Sequence, residues 1–507
     1  MNKKKQESKV SNILKHFGIV ILILSSQLMA NPNNKWPVVR IVATSQSPDF
    51  KSPWAMKNVD VKKSIGTVTN TGEIITSAAA LDFYKRVEME LPQSTKRYPL
   101  NVIDIDYELN LAKLSANSDA GRQALKQVQS FQLGEEPEYG EVCQAVDIIG
   151  GNQISVKSIR FSRPDLHPSS HGKYATIGLR FETTSTGLGG SEPILCKNKL
   201  VGLAQASHKN EVAAINNKIL NFYLNKQLNS KPGSQYSGHL GLLLYHLESV
   251  QKRAYYKAPE SATGVMVGKV YEHSAFSDKL QKGDIITHID GKDLNNNAKI
   301  KHPKWSLIHF NFYISQFSAN HPIKLSIIRD GQPQEITGSL AQKNSNRGVI
   351  PRYFSDYSPA WELNYRIYGG LVFVELNLPM MSQWGSNWTR FAPSEFVNFI
   401  NKDEPRKEST DKRFVVMLRV LADPDNKGYE SFRSAILKNL NGKEVKNLDD
   451  LEEQIKSNNA PFQHFSFDYA AGSIVLKSDI VADLHSRIKK KFQLPENTRF
   501  IEQPPKQ

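Results

Sequence analysis

Cysteine is nearly absent: Cys143 and Cys196 are the only two in 507 residues. So small a number excludes a disulfide-stapled scaffold and a four-cysteine zinc module. An even pair this far apart allows one bridge, and two buried free thiols fit the count equally well. Long hydrophobic runs are also missing. The one unbroken apolar stretch, Phe17 to Leu24, falls far short of the roughly 20 residues that a bilayer-spanning helix needs, so no stable membrane anchor is expected. Acidic residues are in deficit, 50 against 65 Lys plus Arg, for a formal net charge of +15. The excess base is spread along the chain, and its densest cluster is only Lys489 to Lys491, so no nucleic-acid partner is implied.

What is present is the composition of an ordered chain long enough for several domains, with 39% hydrophobic and 23% charged residues. The lysine-rich start (Lys3, Lys4, Lys5, Lys9, Lys15) runs into the apolar stretch and ends near Ala30, the form of a secretory signal over residues 1–30. Its removal would leave a mature chain of +11. Export is therefore expected, to a periplasm or, alternatively, to the medium.

From about Lys35 to Asn217 short β-rich runs alternate with turn residues, among them Val38–Ala43, Glu73–Thr76, Cys143–Ile149, Tyr174–Phe181 and Ile194–Ala204. Many short strands at this spacing predict a barrel or sandwich. Helices are expected near Asp119–Phe131 and Glu211–Leu228, and Asn229 to Ser234 reads as a linker. An internal echo follows: Ile286-Thr-His-Ile-Asp-Gly-Lys-Asp-Leu294 and Leu437-Lys-Asn-Leu-Asn-Gly-Lys-Glu-Val445. Each is a strand entering an Asp-Gly or Asn-Gly turn, which predicts two related hairpin-bearing domains. After the second copy, Asn447 is placed to cap a helix whose Leu448, Leu451 and Ile455 share one face.

Leu280-Gln-Lys-Gly-Asp-Ile-Ile-Thr-His-Ile-Asp-Gly291 resembles the core of a PDZ domain, and His239-Leu240-Gly241-Leu242 its carboxylate-binding loop. In that mode a partner's C-terminal segment adds as a strand to a sheet edge and its carboxylate is held by backbone N–H groups. Gly369-Gly370-Leu371-Val372 is the counterpart in the second copy. A β-rich domain followed by two such domains resembles the Deg branch of the HtrA serine proteases. The resemblance implies a mainly β chain, with a chymotrypsin-like double β-barrel (31–230) and two α+β PDZ-like domains (236–345 and 346–490). A basic, proline-rich tail (491–507) would follow. It also implies a trimer-based homo-oligomer, unfolded polypeptides or protein C-termini as partners, and no cofactor or metal.

The family's catalytic unit is a serine deprotonated by a histidine that an aspartate orients. The histidine belongs in Leu-Thr-Asn-Ala-His, and this chain has Ile75-Thr-Ser-Ala-Ala79. The aspartate belongs in Asp-Ile-Ala-Leu-Leu, and the match is Asn110-Leu-Ala-Lys-Leu114. The serine belongs in Gly-Asn-Ser-Gly-Gly-Pro, and anchoring on Pro193 puts Gly190 in its place, with Ser191 the nucleophile if the alignment slips by one. The expectation is a pseudoprotease of the cell envelope with no catalytic residues, acting as a chaperone or adaptor. An active endopeptidase using Ser191 and a loop histidine, His167 or His171, is the alternative, and a regulatory subunit of an active relative is a third reading. The histidine pair flanks Pro168, which disfavours helical metal-ligand geometry, and Asp423-Pro-Asp-Asn-Lys-Gly428 lacks the ligands of a calcium loop and reads as a turn. The family resemblance also brings Cys143 and Cys196 onto neighbouring strands, which favours the bridge.

Overall fold

The computed structural model describes residues 36–168, 171–172, 174–225, 237–343, 349–353, 362–402, 412–468 and 472–502. The expected export signal and the linker at 229–234 lie outside the described residues.

Six strands close the first barrel: β1 (Val38–Ser45), β2 (Asp60–Val68), β3 (Ile74–Thr76), β4 (Tyr84–Glu90), β5 (Arg97–Asp106) and β6 (Leu111–Ala116), in the order β1-β2-β3-β6-β5-β4. Closure removes free edges. The inward residues Val39, Ile41, Ile74, Val87, Met89, Ala112 and Leu114 fill the interior. Helix α1 (Asp119–Leu125) is capped by Ser118, whose side chain accepts from the Gly121 N–H, and leads to the second barrel.

That barrel comprises β7 (Val142–Ile149), β8 (Gln153–Pro168), β9 (Ala175–Glu182), β10 (Pro193–Cys196), β11 (Lys199–His208) and β12 (Glu211–Asn216). Sequence periodicity had extended a helix over 211–228. Instead Glu211–Asn216 is a strand paired to β9 and β11, and helix α2 (Asn217–Leu224) starts only after Asn216, whose Oδ1 accepts from the Ile219 N–H. Val212, Ala213, Ala214 and Ile215 form an apolar run, and a strand flanked on both sides within a closed barrel buries it more completely than a surface helix would. Cys143 and Cys196 are joined by a disulfide, with Cα atoms 4.4 Å apart, where β10 runs beside β7.

Two open sheets follow. The first contains β14 (Leu242–His246), β15 (Val265–Val270), β16 (Ile285–Ile289), β20 (Pro322–Arg329) and β21 (Gln332–Ser339) in that order, with β17 (Lys292–Asp293) hairpinned onto β16. The short strands β13 (Gly238–His239) and β22 (Ala341–Gln342) pair beside it, and β18 (Lys299–His302) and β19 (Ser306–His309) form a separate hairpin. The second sheet runs β23-β24-β25-β26-β28-β29: Tyr365–Tyr368, Leu371–Glu375, Val415–Val420, Arg433–Leu440, Phe462–Phe467 and Ser473–Lys477. Here β27 (Lys443–Glu444) hairpins onto β26. Both echoed turns have positive φ at both central residues, 49° and 74° at Asp290-Gly291 and 51° and 82° at Asn441-Gly442, as a two-residue hairpin of this hand demands. Helix α3 (Leu448–Lys456) packs on the second sheet by Leu448, Leu451 and Ile455, with Asn447 capping it.

The units are tied together by side chains. One apolar cluster runs from Phe161 and Phe181 of the second barrel into Trp305 in the β18–β19 turn, Phe312 just after that hairpin and Leu325 on β20 of the first open sheet. Trp305 is buried, and its Nε1 donates to the Pro137 carbonyl at 2.9 Å. Phe50, on the loop after β1, is built into the core of the second sheet with Ile367 and Leu376.

Candidate functional site

The junction of the two barrels is where the sequence expectations converge. Ala79 lies in a single 3-10 turn after β3, and Asn110 sits at φ 54° just before β6. β3 and β6 are paired, which brings the two positions together. The Asn110 Oδ1 accepts from the Ala79 N–H at 2.9 Å and from the Ser77 hydroxyl at 2.9 Å, while its Nδ2 donates to Gln205 Oε1 on β11. No side chain beyond a methyl group extends from position 79.

The loop before β10 faces this pair across the barrel junction, since the Ile65 N–H on β2 donates to the Gly190 carbonyl at 2.8 Å. Ser191 is fully buried at φ 75°, and its N–H donates to the Ala204 carbonyl at 3.0 Å. Its hydroxyl oxygen has no hydrogen-bond partner among the described residues. Glu192, which sequence reasoning passed over, folds back on the loop. Its carboxylate accepts from the Gly189 N–H at 2.8 Å and from the Gly190 N–H at 2.9 Å. Burial pushes this carboxyl above the ordinary glutamate range, against the opposing pull of the Gly189, Glu192 and Gly190 N–H groups.

His171 is half-buried with Nε2 2.9 Å from Asp82 Oδ2, and its ring meets Tyr107 edge-on. It is engaged in a contact of its own. His167 contributes its backbone to the β8–β9 ladder opposite Thr176, and its side chain lies outside the described residues. Among the described residues no group of three His, Cys, Asp or Glu side chains is arranged to hold a metal ion. Asp423 caps a short 3-10 turn and pairs with Arg487 at 2.9 Å.

The two expected carboxylate loops differ. In the first, Gly241 has φ 69° and a Cβ there would lie 2.7 Å from Ser274 Cβ, so only glycine lets the chain pass this close. Strand β14 follows it, paired to β15 on one side and terminal in its sheet. In the second, Gly369 and Gly370 are the two-residue turn of the β23–β24 hairpin, where Tyr368 pairs with Leu371. Both glycines are buried, and the Gly369 N–H donates to His485 Nε2 at 2.9 Å. β24 is paired on both sides, to β23 and β25, and β23 is flanked in turn by the chain end, with the Ile367 N–H donating to the Arg499 carbonyl and the Ile501 N–H to that of Ile367. This second loop therefore has neither a free edge strand nor a spare Gly369 N–H. A Gly-Gly pair between apolar strands is itself a hairpin signal, and that signal was available in the sequence.

Two closed six-stranded barrels, with a PDZ domain in the C-terminal region, define a trypsin-like protease fold of the HtrA kind. Residues 350–499 match the PDZ domain family. Over most of its length the chain is similar to plant Do-like proteases. It is 26% identical over 427 residues to the putative mitochondrial protease Do-like 11 of Arabidopsis thaliana, covering 83% of this chain and 67% of that one. To the chloroplastic protease Do-like 2 of the same plant it is 22% identical over 448 residues, covering 85% and 69%. Among solved structures, the HtrA-type protease AlgW with a decapeptide aligns at TM-score 0.46 and 15% identity, covering 62% of this chain and 98% of that one. A serine endoprotease from Yersinia pestis aligns at TM-score 0.41 and 13% identity, covering 62% and 97%. The chain is thus similar to HtrA/Deg-type, Do-like proteases, with a PDZ match in its C-terminal region.

Proposed function

We propose that this protein is a catalytically silent HtrA/Deg homologue that captures polypeptides, as a holdase or adaptor, through its first PDZ sheet. The observation that carries this reading is the pair Ala79 and Asn110, held against each other by the 2.9 Å bond from the Ala79 N–H to Asn110 Oδ1. These are the positions where the resemblance puts the base and its orienting acid, and neither side chain can take up a proton at neutral pH. Losing such a unit costs on the order of 10⁶ in turnover.

Two features of the loop support the same reading. A positive φ at Ser191 suits the glycine that follows the nucleophile in Gly-Asn-Ser-Gly-Gly-Pro, which favours the alignment that puts Gly190 at the nucleophile. The buried Ser191 hydroxyl is in any case sealed from a substrate carbonyl. The Gly190 N–H, one of the two donors that would hold an oxyanion, is already taken by Glu192.

Capture at the first sheet rests on the edge of β14 that no described strand pairs and on the close-approach turn at Gly241. The second sheet, with its equivalent edge paired, serves docking: Phe50 ties it to the barrel domain. The disulfide supports an oxidising, extracytoplasmic location, and we assign a trimer-based assembly by the family resemblance. The test is suppression of aggregation of a chemically unfolded client by the purified protein. Slowing at near-equimolar ratio is expected, and a client that aggregates at an unchanged rate would remove the binding half of the proposal.

A further inference from the structure

The Gly241 N–H, a donor that carboxylate capture needs, is not idle. It donates to His239 Nδ1 at 3.0 Å, within the same loop. A ring nitrogen that accepts is unprotonated, so the proton of the neutral ring sits on Nε2, which lies 3.1 Å from the Gln342 carbonyl and donates to it. The ring is held over the loop by Tyr174, centroid to centroid 4.3 Å, and meets His273 at 5.2 Å. Behind it the loop is fixed: the Tyr271 N–H donates to the Gly241 carbonyl at 3.0 Å and the Ser274 hydroxyl to the Leu240 carbonyl at 2.7 Å.

Resting on the peptide-capture reading, we infer that His239 is a proton-operated gate on the first PDZ sheet. Neutral, it caps the Gly241 N–H; protonated, it releases that N–H to the C-terminal carboxylate of a polypeptide and pairs with it. Protonation converts Nδ1 from acceptor to donor, so two N–H groups would point at each other and the ring must leave. A carboxylate then finds one backbone donor and one imidazolium, the charge-assisted combination that such loops favour. The titratable and charged groups around the ring are the Tyr174 phenol from the barrel side and His273 from the turn after β15. Beyond them, Tyr271 stacks on His273 and carries the Lys269 ammonium over its ring, and Lys343 follows Gln342 on the β22 side. Glu272 adjoins His273 in the chain. The second sheet has a parallel bond from the Gly369 N–H to His485, but there the ring is buried and the neighbouring edge is already paired, so no gate results.

The test is fluorescence anisotropy of the full-length protein with fluorescein-labelled random decapeptides ending in an apolar residue, prepared as free acids and as C-terminal amides. Across two pH units that straddle the ordinary histidine range, the protonated fraction of such a ring rises roughly tenfold. Wild-type protein should bind the free acids about tenfold more tightly at pH 5.5 than at pH 7.5. His239→Ala, and His239→Gln as a variant that keeps bulk against Tyr174, should bind with little pH dependence. Equal affinity of the wild type at both pH values, or a variant that keeps the wild-type pH dependence, overturns the gate and leaves capture standing. Failure of every protein to prefer acid over amide at either pH overturns capture itself, and the gate with it.

Discussion

Lys343 is a buried cation in the seam between the second barrel and the first open sheet. Among the described residues its ammonium hydrogen-bonds to the Ala175 carbonyl at 3.2 Å and the Ser315 hydroxyl at 3.3 Å, while its backbone N–H donates to the Ser237 carbonyl. Burial pushes it down to about 8 from 10.5, with Glu108 and Asp106 pulling the other way. Between those two values the unfolded chain holds a proton that the folded one has released, so stability rises with pH across the window. The gap between those two values corresponds to about 3 kcal/mol. Below pH 8 the folded protein carries that whole cost. Lys343→Met, which keeps length and removes charge, should therefore be more stable than wild type at pH 7 by up to about 3 kcal/mol, and the advantage should shrink steadily toward pH 10. Urea unfolding at pH 7, 8, 9 and 10, followed by tryptophan fluorescence, reads this out. Using the difference between the two proteins cancels the contributions of ionisable groups common to both. A wild-type minus variant difference that stays flat from pH 7 to 10 would refute the reasoning.

Trp305→Ala should cost about 3–5 kcal/mol, since the ring is buried, meets Phe161 and Phe312, and leaves the Pro137 carbonyl without its donor; limited proteolysis should then cut between barrel and sheet. His485 is pushed down by burial to about 4, so the stability that depends on its neutral form is present above pH 6.5 and is lost as pH falls from 6.5 to 4. The second PDZ sheet should therefore loosen over that acid interval, measured by hydrogen exchange of the Gly369 and Leu371 amides. His485→Gln should flatten the transition. Replacing Cys143 and Cys196 together by alanine frees a 53-residue separation in the unfolded chain, worth about 4 kcal/mol by loop-closure entropy, and should lower the calorimetric transition of the barrel domain.

Fold class was legible because its signals are local. Asp290-Gly291 and Asn441-Gly442 announce hairpins through residues that tolerate positive φ, and Asn447 announces a helix through its cap. The strand at Glu211–Asn216 was hidden because Val212, Ile215 and Ile219 also fit helical spacing, and only the flanking strands β9 and β11 decide between the two. At the site, the adjacency of Ala79 and Asn110 could be read from motif order. The return of the Glu192 carboxylate onto Gly189 and Gly190 could not, since it depends on the loop backbone. The same holds for His239 on Gly241. Gly369-Gly370 carried two meanings, carboxylate loop and hairpin turn, and pairing on both sides of β24 separates them.

The central claim, that the barrel pair no longer performs acyl transfer, is tested most directly by incubating the purified protein with unfolded casein and with a fluorophosphonate probe, beside a Ser191→Ala variant. The account predicts no turnover above the buffer rate and no labelling of either protein. Turnover and labelling that vanish in Ser191→Ala would contradict it, and would mean that Ser191 leaves its buried position to meet a base.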